Sequence, residues 1–370
     1  MNITSTMDGD LNNQTSTTIS GTLTTIEPSS IADVAWFRAL KYTLYGLIFL
    51  ISMPGNIMVC LIITRRRKMK TITNFLILNL AISDVLYTLY VPLDIVITET
   101  TTWPFAHFFC NLLYPLMTLS ICVSAFTLMA LALSRFWAVV FPLRRQLSIA
   151  QVKVSLVVIW LLGIVVVLPY AIYLRITKDH ICNETWPTEN ARKTYTLVLF
   201  FAQFVLPLTA ITLAYTMVGI ELKKGSHRSE NRILERTRNE ESTKVIRMLI
   251  VITAAFAFCN LPTSILWLIK DFGSAKSSQF DDIIVFFNIL DFGNAAVNPC
   301  IYLSCNEDFR REFCRYLSKM KIKLFWTSDR TFSADSAPSH EGHETGEEPC
   351  LEKTTVDPSS SILLKHESCM

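Results

Sequence analysis

Seven stretches of the chain, at about residues 38–64, 72–98, 107–140, 151–173, 195–222, 243–270 and 281–304, are apolar almost throughout. Each is long enough to cross a hydrocarbon core of ~30 Å as a helix rising ~1.5 Å per residue, and too long and uniformly apolar to be a core strand. With 51% hydrophobic residues, 18% charged residues and a mean hydropathy of +0.37, a soluble fold has no means of hiding this much apolar surface. The fold class that follows is an all-α membrane protein, a seven-transmembrane helix bundle. Every stretch contains a proline (Pro54, Pro92, Pro115, Pro169, Pro207, Pro262 and Pro299). In a bundle, neighbouring helices and waters satisfy the freed carbonyls, so these prolines are expected to kink the spans and not to end them.

Orientation follows from the basic residues, which favour the cytoplasmic side. Residues 1–37 hold no Lys or Arg, whereas the loop after the first span reads Arg65, Arg66, Arg67, Lys68, Lys70. Arg144 and Arg145 after the third span, the run from Lys223 to Arg247 after the fifth, and Arg310, Arg311 and Arg315 after the seventh repeat the bias. The N-terminus is therefore expected outside and the C-terminus inside, in a multi-pass protein of the cell membrane. Arg175, Lys178, Arg192 and Lys193 are exceptions on the outer side. Residues 1–37 read as a disordered extracellular segment without the features of a signal peptide, so the first span would act as its own insertion signal. Residues 38–304 form the bundle, and 305–317 a short amphipathic helix on the inner membrane surface, with Phe309 and Phe313 at i, i+4 beside arginines. Residues 318–370, polar and rich in Ser and Thr, read as a disordered cytoplasmic tail. The sequons at Asn2, Asn13 and Asn183 all fall outside, where glycosylation takes place. The net charge of +3 is gathered in loops with no interleaved aromatics and gives no nucleic-acid signal.

Most of the ten cysteines lie in apolar spans or on the cytoplasmic side. Cys110, at the outer start of the third span, and Cys182, in the second outer loop, face an oxidising space and are open to two readings, a bond or two unpaired thiols. Asp84 lies in the middle of the second span, where a charge is costly and an ionisable side chain signals function. Asn294 and Asn298 stand one turn apart on the seventh span, Asn56 deep in the first and Ser124 at mid-depth in the third. Such an oxygen set suits a hard ion, Na⁺, as the one cofactor to consider; a hydrogen-bonded network around a protonated Asp84, with no ion, accounts for the same residues. Arg135 follows Cys110 by 25 residues, ~37 Å of helix, and so lies at the inner surface. It either snorkels to headgroups or opens a motif with Val139, Val140 and Pro142.

In order and depth these residues resemble the rhodopsin-like (class A) G-protein-coupled receptors over about residues 38–317. The resemblance rests on Gly55 and Asn56 in the first span, Leu80 to Asp84 in the second, Trp103, Trp160 in the fourth, and Pro207 with Tyr215 in the fifth. Phe256, Cys259 and Pro262 mark the sixth span, Asn298, Pro299 and Tyr302 the seventh, and Phe309 the helix after it. It implies a Cys110–Cys182 disulfide, an outward swing of the sixth span about Pro262, and a cytoplasmic cavity for a heterotrimeric G protein lined by Arg135, Tyr215 and Tyr302. Two positions depart from the family pattern. Ser134 stands where an acid normally restrains the arginine, which implies raised basal activity, and Asn260 replaces the tryptophan of the sixth span.

The absence of lysine between Lys276 and Lys319 removes the attachment point expected of an opsin, and Met117 stands where amine receptors carry an aspartate. The chain most resembles the neuropeptide-receptor branch. Asp94, Met117, Gln203, Trp267, Asp271, Asn288 and Asp291 fall in the expected pocket and its rim, and acids beside a tryptophan suit a cationic peptide end. Asp271 reads equally as a solvated helix-end charge beside Lys270, and Trp267 as an interfacial anchor. Cys314 in the amphipathic helix is a palmitoylation candidate or a plain thiol. Tail residues such as Thr327, Ser328, Ser359, Ser360 and Ser361 would serve receptor kinases and arrestin, with the lipid bilayer as the remaining partner. A lipid or other small ligand is the alternative within the same fold. An ion-coupled transporter is weaker, because no internal repeat is visible. An enzyme is not expected, because the six histidines share no ligand or nucleophile spacing.

Overall fold

The computed structural model describes residues 35–100, 102–228, 232–273 and 278–318. The sequons at Asn2 and Asn13 and the tail beyond residue 318 lie outside these residues. Among the described residues, seven helical spans are long and apolar enough to cross a membrane. They comprise α1 (Ala35–Arg65), α2 (Ile72–Thr88) with α3 (Tyr90–Thr100), α4 (His107–Val140), α5 (Ile149–Tyr173), α6 (Glu189–Phe200) with α7 (Leu206–Arg228), α8 (Arg232–Phe272) and α9 (Ser278–Cys305). A short helix at 307–318, α10, follows Asn306, whose side-chain oxygen accepts from the Asp308 and Phe309 amides and caps it.

Five of the seven prolines lie inside uninterrupted helices. The second and fifth spans differ from the expectation of a kink alone. The second breaks at Leu89, three residues before Pro92, whose missing N–H leaves the Thr88 carbonyl without its helical donor. In the fifth, Phe201–Val205 form a π-helical turn just before Pro207, and the Leu206 amide reaches back to the Phe201 carbonyl. That extra residue per turn rotates everything before it relative to α7.

α4 runs through the middle of the bundle, packed on α2, α5 and α7. The main core joins Leu76, Leu80, Leu128, Leu131, Ile252, Phe256 and Tyr302 from four spans. By contrast α5 exposes Val154, Val157, Leu161, Val165 and Leu168, the pattern of a helix facing lipid. Polar groups cross between helices at fixed depths. Asn56 donates to the Ala295 carbonyl at 2.9 Å, the Trp160 indole to Asn79 Oδ1 at 2.9 Å, Asn79 Nδ2 to Thr127 at 2.8 Å, and Thr263 to the Phe287 carbonyl at 3.1 Å.

One end of the bundle is closed by a hairpin, β1 (Leu174–Ile176) with β2 (Cys182–Glu184), in which Ile176 pairs with Cys182 and Leu174 with Glu184. Strands of this length do not hold themselves. They are pinned by the Cys110–Cys182 disulfide, with Cα atoms 5.8 Å apart, and by Asn111 Nδ2, which donates to the Ala171 and Leu174 carbonyls. His180 turns the hairpin at φ 56° and its carbonyl accepts from the Trp103 amide at 2.6 Å. At the other end, Arg66 pairs with Glu312 at 2.8 Å and lies over the Tyr316 ring, tying the loop after α1 to α10.

Gly55 is where α1 meets α9 most closely, since a Cβ built there falls 2.8 Å from Pro299 Cγ, while one at Gly46 meets nothing within 4 Å. Gly55→Ala is therefore expected to destabilise the bundle by ~1–3 kcal/mol and Gly46→Ala to be neutral or slightly stabilising. Thermal unfolding of the two variants in one lipid composition checks the contrast; equal midpoints would show that α1 and α9 are less tightly apposed than this.

Candidate functional site

At the hairpin end three carboxylates are held by cations, Asp94 and Glu99 on one side of the bundle and Asp271 on the other. Asp94, on α3, lies 3.7 Å from the ammonium of Lys41, which is buried in α1, and accepts from the Tyr45 hydroxyl at 3.0 Å. Arg38 and Tyr42 of α1 both engage Glu99, one turn further along α3. Across the bundle, Asp271 at the end of α8 is only 7% exposed. It pairs with Arg192 of α6 at 3.2 Å and accepts from Thr196 at 2.5 Å. It is thus not the solvated helix-end charge that its neighbour Lys270 suggested; Lys270 instead lies over the Trp267 ring at 5.1 Å.

Below Asp94 an aromatic cluster gathers around Phe292, with Tyr45, Tyr87 and Tyr90 at centroid distances of 5.4, 5.0 and 6.0 Å. Met117 packs against this cluster. The Tyr87 hydroxyl donates to Asp291 Oδ2 at 3.1 Å, while Asp291 Oδ1 is buried with no hydrogen-bond partner. Asp94, Met117 and Asp291 therefore share one wall, formed by α1, α2, α3, α4 and α9. Gln203 lies elsewhere, buried in the π turn with its amide 3.4 Å from Cys122 Sγ. Asn288 is half-buried on α9, and Trp267 is 40% exposed.

The hairpin supplies a further acid. The Trp186 indole donates to Glu184 at 2.5 Å and its ring packs between Tyr173 and Tyr195, at 4.6 and 4.9 Å. Burial pushes the Glu184 carboxyl above the usual carboxylate range; the nearby Asp271 charge adds to this, while the Trp186 bond, Arg192 and Lys270 oppose it. Asn183, beside it, is exposed.

In mid-bundle Asp84 is 2% exposed and accepts from Asn298 Nδ2 at 2.8 Å, and Ser124 shares a 2.9 Å hydrogen bond with Ser83. The side-chain oxygens of Asn56, Asn294 and Asn298 are buried without partners. One carboxylate and several unpaired carbonyl oxygens form a donor set that fits a hard cation. Closer to the hairpin, Asn260 donates to the Phe256 carbonyl at 2.8 Å and its own Oδ1 is unpartnered, while Phe256 stacks on Phe204 at 5.9 Å.

At the α10 end Arg135 has a buried Nε without a hydrogen-bond partner and makes no ion pair among the described residues. Its charge acts on the Tyr215 hydroxyl, which is itself unpartnered. Ser134 gives its hydroxyl to the Leu131 carbonyl at 2.8 Å. Tyr302 is fully buried and stacks on Phe309 of α10 at 5.6 Å. Cys314 is half-buried on α10.

Sequence reasoning missed the cations that hold the acids. Lys41 was visible as a charge inside an apolar span, the same signal that marked Asp84. Arg192 was visible only as an exception to the charge bias of the loops, and its pairing with Asp271 is the physical reason for that exception. Glu184 and Trp186 carried no signal, because only the fold of the hairpin buries them.

The profile described as 7 transmembrane receptor (rhodopsin family) matches residues 55–302. Neuropeptide FF receptor 2 of Rattus norvegicus is 33% identical over 292 residues, 73% of this chain and 70% of that protein. Neuropeptide FF receptor 1 of Homo sapiens is 32% identical over 297 residues, 74% and 69% of the two chains. The RYamide receptor of Tribolium castaneum is 30% identical over 315 residues, 79% and 84%.

Glu184 holds its proton more tightly when folded than when unfolded. Its contribution to stability is therefore full below the unfolded-state value of about 4.3 and is lost as pH rises through the folded-state value. Glu184→Gln, which keeps an acceptor for Trp186 without a buried charge, is expected to melt higher than wild type at neutral pH, with the gap closing as pH falls towards the carboxylate range. A gap that stays constant with pH would mean that the Glu184 charge is already fully compensated.

Proposed function

The chain belongs to the rhodopsin family of seven-transmembrane receptors, and from that premise we propose that it is a neuropeptide receptor that turns binding of a cationic peptide at the hairpin end into activation of a heterotrimeric G protein at the α10 end. The basic residues of the loops support an orientation with the hairpin outside and α10 in the cytoplasm. The relatives' names, neuropeptide FF receptor and RYamide receptor, support a peptide ligand. The observation that carries the reading is the pair between buried Asp271 and half-exposed Arg192, an outer carboxylate already holding a guanidinium. A ligand arginine would take the place of Arg192, exchanging one charge-assisted pair for another without leaving Asp271 bare. Asp94 with Lys41, and Asp291 deeper in the same wall, offer further anionic positions for the peptide, with Gln203, Trp267 and Asn288 around them.

Transduction is a population shift, and the ligand moves it only by its differential affinity for the two packings. In this reading Asn260 and Phe256 pass the ligand's position to Pro262, about which α8 swings. Pro299 and Asn298 adjust α9, and Arg135, Tyr215 and Tyr302 offer unpaired polar groups to the G protein. Bound Na⁺ would be held by Asp84, Ser124, Asn294 and Asn298 and would supply a charge that favours the packing in which those oxygens converge. Receptor kinases and arrestin would act on the tail, and Cys314 is the candidate acylation site on α10.

Full-length protein in cells with a promiscuous Gα is expected to signal in response to at least one arginine-containing amidated peptide, and Arg135→Ala to abolish the signal at matched surface expression. Asp271→Asn is expected to lower potency ~10–100-fold, the equivalent of one charge-assisted hydrogen bond of ~1.5–3 kcal/mol. A peptide whose arginine is replaced by norleucine should lose no further potency on that variant. Ser134→Asp is expected to lower ligand-free signalling, because it restores a restraint on Arg135. Silence across the peptide panel would redirect the search to lipid ligands, and wild-type potency in Asp271→Asn would remove Asp271 from the ligand contact.

A further inference from the structure

At the α10 end, beside Arg135, lies a cavity of about 230 Å³ whose wall includes Thr71, Ile72, Thr73, Ser134, Arg135 and Gln146 and, among the described residues, no Asp or Glu. Its volume is several times the ~30 Å³ share of one water molecule. Ser134 and Gln146 spend their donors on the Leu131 and Phe141 carbonyls, but other donors at the cavity lack acceptors. The Arg135 guanidinium has a buried Nε with no hydrogen-bond partner and no carboxylate at ion-pair distance among the described residues. The cavity also opens on the N-terminus of α2, a 17-residue helix, where the Thr71 side chain caps the Asn74 amide and the Ile72 and Thr73 amides have no acceptor among the described residues. Thr73 is only 5% exposed, and its hydroxyl has no partner among the described residues. Lys70 and Arg145, adjacent in sequence to Thr71 and Gln146, add positive charge at the rim.

A helix N-terminus, an uncompensated guanidinium and the unpartnered hydroxyl of a buried threonine, around one cavity with no acid among its described lining, make a receptor for an anion, and the fork of an arginine matches an oxoanion best. Ser134 lines the same cavity. A carboxylate at that position would fill the need, and this chain has none there. We propose that the cavity binds a phosphate-type oxoanion, which stands where a carboxylate at position 134 would stand and holds Arg135. The chemistry is shared by a phosphorylated inositol lipid headgroup from the adjoining leaflet and by free phosphate. Bound there, the anion stabilises the packing in which Arg135 faces the cavity, so that the restraint on Arg135 depends on its surroundings and is not built into the chain.

The test uses full-length protein in nanodiscs of phosphatidylcholine, with the unfolding midpoint read by intrinsic tryptophan fluorescence. One arm adds inorganic phosphate against chloride at constant ionic strength; the other adds phosphatidylinositol 4,5-bisphosphate to the disc without phosphate. Wild type is expected to melt a few degrees higher in at least one arm. The rise should vanish in Ser134→Asp, whose carboxylate occupies the place of the anion, and shrink in Thr73→Val, which keeps the shape and removes a donor. A rise with phosphate assigns the free anion, and a rise with the lipid alone assigns the headgroup. No rise in either arm overturns the proposal, as does a rise of equal size in Ser134→Asp and Thr73→Val, which would trace the effect to the basic loops alone. Because the readout is stability and not signalling, failure here leaves the peptide-receptor reading standing, and silence in the peptide panel leaves this site standing.

Discussion

Hydrocarbon accepts and donates no hydrogen bonds, and the rest of this structure depends on that constraint. A polar side chain within a span has to find its partner inside the protein, on a carbonyl of its own helix, as Asn260 and Ser134 do, or on another helix. Asn56 on the Ala295 carbonyl, Trp160 and Thr127 on Asn79, Asn298 on Asp84, and Thr263 on the Phe287 carbonyl each fix two helices at one depth. These few crossings set the register that apolar packing alone leaves free, since lipid tails are as apolar as the leucines they compete with. α5, with most of its apolar surface turned outwards, is held by the Trp160 bond and by the hairpin that leaves its end.

Along the axis, the balance of donors and acceptors changes sign. At the hairpin end acids meet cations within the chain, Asp94 with Lys41 and Asp271 with Arg192. In mid-bundle acceptors exceed donors, and oxygens of Asn56, Asn260, Asp291, Asn294 and Asn298 lie buried and unpaired. At the α10 end the surplus is of donors, around Arg135. On the readings proposed above, ligands of matching charge would complement this profile: a cationic group exchanged in at the outer acids, a small cation among the central oxygens, an anion beside Arg135. Buried charge left unpaired is costly, so each such occupant, where it binds, would bear on which packing of the helices prevails.

Much of this was legible in the sequence. Span number and approximate limits follow from apolar length, which is a one-dimensional property, and the Cys110–Cys182 bond follows from the family resemblance. Asp84 and Asn298 announced themselves by polarity at apolar depth, and the structure places them 2.8 Å apart. The break at Leu89 and the π turn at Phe201–Val205 were not legible, although Pro92 and Pro207 were. A proline frees a carbonyl wherever it stands, but whether the helix kinks, breaks or gains a residue depends on which neighbour satisfies that carbonyl.

The sequence by itself determined that this chain spans a bilayer seven times and which family it joins, because hydrophobic length and the identity of polar residues at depth are local quantities. Which charges meet was decided only by the tertiary structure. Arg192 and Asp271 are 79 residues apart and Lys41 and Asp94 are 53 apart, so neither pairing is a matter of order along the chain. Electrostatic pairing acts over a few ångströms, and those distances exist only once the helices have packed.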